Sequence, residues 1–324
     1  MDKNNHTLSL SSKSFALIKW SLVVFALAFL THQLFFKYNV FDWYEKGQRY
    51  FNEHAFNILW VLLIMPINWF LESFKWYLLM KPYGPISLAA SVRGTLMGVA
   101  IGLFTPNGVG EFAGRMLAVP DSIKEEAVGT GIVSSMAQLA VTLTIGASCL
   151  IAYFLPNTAW NVFWITCTLS FGVFAYFWLP NLVAKLFMHV PFLKRYDHFI
   201  SALATTPKSA LAICYFISFL RYLTFFTALF ILLKPIAETN ITLSTLALVI
   251  PIYFYVKTLI PTIALSEIGI RGAIIIYLIP LSVYGQELIF ATTYLWLANV
   301  ILPALLGLVF LTSSKLSFKR KQRR

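Results

Sequence analysis

The chain has 324 residues, 59% of them hydrophobic and only 12% charged, with a mean hydropathy of +0.75, whereas a soluble domain carries about 25% charged residues. That balance excludes a soluble enzyme, a disordered regulator and a disulfide scaffold, and it predicts an all-α, polytopic membrane bundle. The 25 Lys and Arg against 13 Asp and Glu give a net charge of +12, and the position of the cations excludes nucleic acid as the partner, because no soluble segment supplies a folded basic face.

Taken in chain order, residues 1–14 are a polar N-terminal segment, residues 15–312 form a single transmembrane domain and residues 313–324 are a basic tail. A membrane span needs about 20 apolar residues. On that criterion spans are predicted near 15–36, 55–80, 127–155, 160–188, 208–233, 240–260 and 288–312. The first is read as a retained helix rather than a cleaved signal, since its apolar run continues well past Ala26-Leu27-Ala28. Two further segments, 88–119 and 261–281, are apolar but interrupted by helix breakers and charge. Irregular backbone at membrane depth is tolerated only where it is buried in protein or lines a wet cavity. The total is seven to nine membrane segments, two of them broken or re-entrant.

Orientation follows from the short loops. Lys81, Arg93, Lys124, Lys185, Lys194, Arg195 and Lys208 fall on one face together with the tail cations Lys315, Lys319, Arg320, Lys321, Arg323 and Arg324. Cytoplasmic loops are enriched in Lys and Arg and attract anionic headgroups, which predicts both termini inside a bacterial inner membrane. Lys37, Lys46, Arg49 and Lys234 fall on the other side. The stretch from Met188 to Pro207 reads as a loop lying on the headgroups. Cys149, Cys167 and Cys214 sit in apolar runs without metal-ligand or disulfide spacing, so no metal or cofactor is expected.

The chemistry concentrates in the two broken segments. In Thr105-Pro106-Asn107-Gly108-Val109-Gly110-Glu111-Phe112-Ala113-Gly114-Arg115, Pro106 ends a helix, Gly108 and Gly110 permit a turn, and Glu111 and Arg115 then stand four apart on one helix face. Such charges normally face a bundle interior or cavity and pair with each other. They serve either a working site or a structural ion pair that pins two helices. Gly94, Gly98 and Gly102 recur every fourth residue and read as a helix-packing face. The second segment repeats the pattern, with Pro261, then Glu267 and Arg271 four apart around Gly269. Interrupted helices in corresponding parts of two halves point to a transporter's central site and to a pseudo-repeat. Glu72 and Lys75, three apart on one face, join Asn68, Gln138, Arg221, Lys257 and Asn299 as polar residues at membrane depth. No strand precedes Gly108-Val109-Gly110 to make it a dinucleotide fingerprint. No P-loop, zincin motif or Ser/His/Asp set is present, so an enzyme is not expected.

The Asn68…Glu72-Ser73-Phe74-Lys75-Trp76 helix, the Thr105-Pro106…Gly110-Glu111…Arg115 turn and Pro261…Gly269-Ile270-Arg271 resemble, in order and spacing, the transmembrane region of the lysylphosphatidylglycerol synthases, the flippase-like membrane family. The likeness runs from about residue 15 to 312. In that family's second motif, Gly-x-Gly-x-Arg-Glu, Arg271 is matched, while Glu267 stands at the first Gly and Gly272 at the final Glu. The resemblance implies a translocator of phospholipid or of a lipid-linked substrate with an anionic headgroup, lacking the aminoacyltransferase domain. Glu72, Lys75, Glu111, Arg115, Glu267 and Arg271 are its expected substrate-binding residues. The alternative is a non-transporting membrane scaffold for envelope-biosynthesis proteins.

Overall fold

The structure is a computed structural model that describes residues 40–105, 108–155, 159–189, 200, 202, 204–237, 241–260, 264–279 and 285–313. The chain divides into two compact units, Met1–Glu45 and Lys46–Arg324, and the second carries the helical bundle and its cavity. The predicted first span, the breaker residues Pro106 and Pro261, the loop around Lys194 and the basic tail lie outside the described residues.

Every described element is helical. Besides two short 3-10 turns, Lys81–Tyr83 and Asp121–Ile123, they are in order α1 (Val40–Met80), α2 (Leu88–Gly102), α3 (Glu111–Leu117), α4 (Lys124–Phe154), α5 (Ala159–Met188), α6 (Lys208–Ala237), α7 (Leu243–Leu259), α8 (Ala264–Leu278), α9 (Gly285–Trp296), a widened π turn (Leu297–Ile301) and α10 (Leu302–Ser313). Five stretches are long and apolar enough to cross a membrane: Asn52–Tyr83, Asp121–Phe154, Asn161–Met188, Lys208–Ile236 and Glu287–Ser313. Two shorter apolar helices, Leu88–Gly102 and Leu243–Leu259, accompany them. The chain is thus all-helical with membrane-length helices. α1 is longer than the predicted span because it runs on through a kink at His54, whose φ and ψ are −132° and 29°.

α4 is the hub of the bundle, touching α3, α5, α6 and α7. Its contact with α5 is close because Gly172 lies against Thr144, where a β-carbon on the glycine would fall 2.0 Å from the hydroxyl. Beyond that seam α5 is nearly bare, with Phe163, Trp164, Phe171, Phe174 and Trp178 all exposed, as expected of a helix solvated by acyl chains rather than water.

The interrupted segment 88–119 folds as an antiparallel hairpin of α2 and α3. Gly110 meets Ile101, Gly114 meets Gly98 and Ala118 meets Gly94, so the partner position falls as the residue number rises. The glycines expected to form a packing face do so: a β-carbon on Gly114 would lie 2.1 Å from the backbone nitrogen of Gly98. The turn is closed by Thr105, whose hydroxyl donates to the Gly102 carbonyl (3.1 Å) and accepts from the Gly110 N–H (2.7 Å). Gly108 takes φ +70°, a left-handed conformation that β-carbons disfavour. α10 seals the other side of α2, with Gly307 against the carbonyl of Leu96.

The second interrupted segment is broken between α7 and α8, and Gly269 lies within the helical run of α8. Pairing of α8 with α9 and of α9 with α6 returns the chain to the bundle.

Candidate functional site: two ion clusters around one cavity

Glu72 is the centre of the first cluster. Its carboxylate receives Arg115 Nη2 (2.7 Å) and Ser134 Oγ (2.9 Å) on Oε1, and Arg221 Nη1 (2.8 Å) and Lys75 Nζ (2.9 Å) on Oε2. Three cations from α1, α3 and α6 therefore share one carboxylate. Lys75, fully buried, also donates to the Ser134 carbonyl and the Ser218 hydroxyl, each at 3.0 Å. The Glu72 carboxylate, the Ser134 carbonyl and the Ser218 hydroxyl thus occupy the three N–H donors of the Lys75 ammonium. The Arg115 guanidinium lies 5.6 Å from the Trp76 ring and that of Arg221 lies 5.2 Å from the Trp69 ring, so both are further held by aromatic faces.

The partnership read from helix spacing is a secondary one. Glu111 stands 3.9 Å from Arg115, against 2.7 Å from Arg115 to Glu72. Helix geometry brings Glu111 and Arg115 to one face, but the acid across the interface on α1 is nearer and wins the hydrogen bond. Arg115 is 1% exposed, whereas the Glu111 side chain is 36% exposed.

The second cluster keeps its local pair. Glu267 Oε1 receives Arg271 Nη2 at 2.7 Å and Lys257 Nζ at 2.8 Å, and Oε2 accepts the indole N–H of Trp296 at 2.9 Å. Lys257, on the last turn of α7, thus bridges the helix break to Glu267 on the first turn of α8.

Both clusters border one cavity of about 640 Å³. Gly102, Thr105, Gly108 and Glu111 line it from the first helix break. Lys257, Thr258, Ile260, Glu267 and Arg271 line it from the second. Trp69, Arg221, Trp296 and Asn299 contribute from between, and Ile132, Met136 and Leu139 of α4 give it an apolar wall. Trp69, Arg221 and Asn299 each stand about 18–26 Å of helix rise from both ends of their membrane-length helices, at ~1.5 Å per residue, and so occupy mid-span. Glu72, Lys75 and Arg115 are buried and take no part in the lining.

A polar relay ties the wall together. Asn299 Oδ1 accepts from Asn68 Nδ2 (2.8 Å), and Asn68 Oδ1 accepts from Arg221 Nε (2.8 Å). Of the expected site residues, Glu111, Glu267 and Arg271 face the cavity, while Glu72, Lys75 and Arg115 form its support. Arg221, Lys257, Trp69, Trp296 and Tyr222 were not among the expected substrate-binding residues. For Arg221 the signal was available: it is the lone charge in the middle of a 30-residue helix. No group of three or more His, Cys, Asp or Glu among the described residues is arranged to hold a metal ion. Compared with known protein families, with curated proteins and with solved structures, the chain matches none.

Proposed function

We propose that this protein is a translocator of a lipid, or lipid-linked substrate, with an anionic headgroup. The observation that carries the reading is that two helix breaks line one mid-span cavity whose surrounding charges are unbalanced. Among the described residues, Lys75, Arg115, Arg221, Lys257 and Arg271 face only Glu72, Glu111 and Glu267, five cations against three carboxylates. Excess charge at membrane depth is costly and marks substrate or ion pathways. An anion entering the cavity removes that cost.

Interrupted helices meeting at the midplane are the arrangement by which transporters expose polar backbone to substrate. On this reading the α2–α3 hairpin is re-entrant and pairs with the α7–α8 break as a pseudo-repeat, within a seven-to-nine-segment bundle of a bacterial inner membrane. Both termini are cytoplasmic. The resemblance to the flippase-like region of the lysylphosphatidylglycerol synthases agrees with it, and so does the absence of any catalytic motif in the sequence. The protein binds and moves its ligand without altering it. The α4 wall of Ile132, Met136 and Leu139 suits an acyl or prenyl chain.

The test is headgroup translocation in proteoliposomes holding the purified chain or its Arg271→Ala variant. The wild type accelerates movement of an anionic lipid and the variant, still folded, does not. Equal rates for the wild type and empty vesicles would instead favour a scaffold for envelope-biosynthesis proteins.

A further inference from the structure

We infer that the cavity selects a doubly charged phosphate, a phosphomonoester or pyrophosphate, over the singly charged phosphodiester of a common phospholipid. The inference rests on the translocator reading for the lipid source, but the charge class stands on the site itself. The five cations and three carboxylates leave a surplus of two positive charges. In a low-dielectric site the ligand that cancels the whole surplus is favoured over one that cancels half. Arg115, Arg221 and Arg271 are guanidiniums and stay charged, and each lysine is paired with a carboxylate, Lys75 with Glu72 at 2.9 Å and Lys257 with Glu267 at 2.8 Å.

A second observation points to a ligand in the same place. One residue of the cavity wall carries a buried donor with no hydrogen-bond partner, the hydroxyl of Tyr222. Tyr222 is 3% exposed. Buried donors left idle are rare in folded proteins and mark places where something else completes them. A phosphate bearing two charges in the cavity offers acceptors to the donors of its wall, the Tyr222 hydroxyl and the side chains of Arg221, Lys257 and Arg271. Glu111 opposes the ligand's charge, since it lines the cavity and its salt-bridge contact, with Arg115, is a long one at 3.9 Å. The site's preference is therefore set by a count of charges and not by a shape.

The experiment uses the full chain in nanodiscs of phosphatidylcholine, with the change in tryptophan fluorescence that Trp69→Phe and Trp296→Phe remove as readout. The probes are a prenyl monophosphate, phosphatidylglycerol and inorganic phosphate. At pH 8 the monophosphate binds at least about tenfold more tightly than phosphatidylglycerol, since its second ionisation lies near ~6. At pH 5 that advantage shrinks. The cavity wall carries no histidine among the described residues, its titratable and charged groups being Glu111, Glu267, Tyr222, Lys257, Arg221 and Arg271; phosphatidylglycerol, singly charged at both pH values, reports any change in the protein. Glu111→Gln tightens monophosphate binding, because it enlarges the surplus, and Tyr222→Phe weakens it by about tenfold through one lost charge-assisted hydrogen bond. Equal affinity for phosphatidylglycerol at pH 8, or weaker monophosphate binding in Glu111→Gln, overturns the proposal. Inorganic phosphate binding as tightly as the prenyl compound supports the charge class and overturns the lipid source. A monophosphate that binds but is not moved in proteoliposomes sinks translocation and leaves the charge class standing.

Discussion

The indole N–H of Trp69 donates, at 2.9 Å, to the backbone carbonyl of Asn299, whose ordinary α-helical donor would be residue 303, a proline without an N–H. The π turn Leu297–Ile301 precedes that proline, so the sequence frees a carbonyl at mid-span and α1 supplies the missing donor. The same Trp69 ring then faces the Arg221 guanidinium. Trp69→Phe removes the hydrogen bond and keeps a ring. The expected cost is about 1 kcal/mol, seen as a lower midpoint of thermal unfolding in detergent. An unchanged midpoint would mean that the Asn299 carbonyl finds another donor.

Glu72 and Glu111 make opposite predictions. Glu72→Gln leaves Lys75, Arg115 and Arg221 without their shared countercharge in a buried setting, and a loss of about 3–5 kcal/mol of stability is expected. Arg115→Ala falls in the same class, since Arg115 supports the wall without lining it. Glu111→Gln breaks only a long contact and should leave thermal unfolding unchanged. If Glu111→Gln proved as destabilising as Glu72→Gln, Glu111 would be the true partner of Arg115.

Two glycine substitutions separate close packing from open space. Gly114→Ala drives a β-carbon into the backbone of Gly98 and should unseat the α2–α3 hairpin, lowering the yield of folded protein. Gly84→Ala places its β-carbon 3.4 Å from Ile123, an ordinary contact, in an extended conformation that any residue adopts. That variant should purify like the wild type. Size-exclusion profiles of the two compare them directly.

Topology is tested with single cysteines at Lys194 and Lys315 on a background lacking Cys149, Cys167 and Cys214. Both sites should resist a membrane-impermeant thiol reagent in intact cells and react after the membrane is opened. Labelling of either from outside reverses the orientation proposed from the loop cations.

Much of the helix layout was legible in the sequence because long apolar runs have few alternatives in a membrane. The predicted spans 127–155, 160–188 and 208–233 match Lys124–Phe154, Ala159–Met188 and Lys208–Ala237 within a few residues. The broken character of 88–119 was equally legible from its glycines and charges. What sequence spacing could not supply was partner choice across helices. An i, i+4 rule pairs Glu267 with Arg271 correctly because Lys257 adds to that pair without displacing it. For Arg115 the rule selects Glu111, since no local rule can see that Glu72, 43 residues earlier, comes nearer. The cavity role of Lys257 was hidden for the same reason: it depends on how α7 and α8 meet.

The three-cation grip on Glu72 also sets an order of events during synthesis. Glu72 and Lys75 emerge together on α1, three residues apart, and can neutralise each other before α2 or any later helix exists. Arg115 follows with α3. Arg221 comes last, and at 5–20 residues per second the chain between Arg115 and Arg221 takes roughly 5–20 s to make. The helix that delivers Arg221 is apolar enough to span by itself, so it can reach the bilayer before its partner is found. Once Lys75 has been made, Glu72 does not have to enter the bilayer as a bare carboxylate.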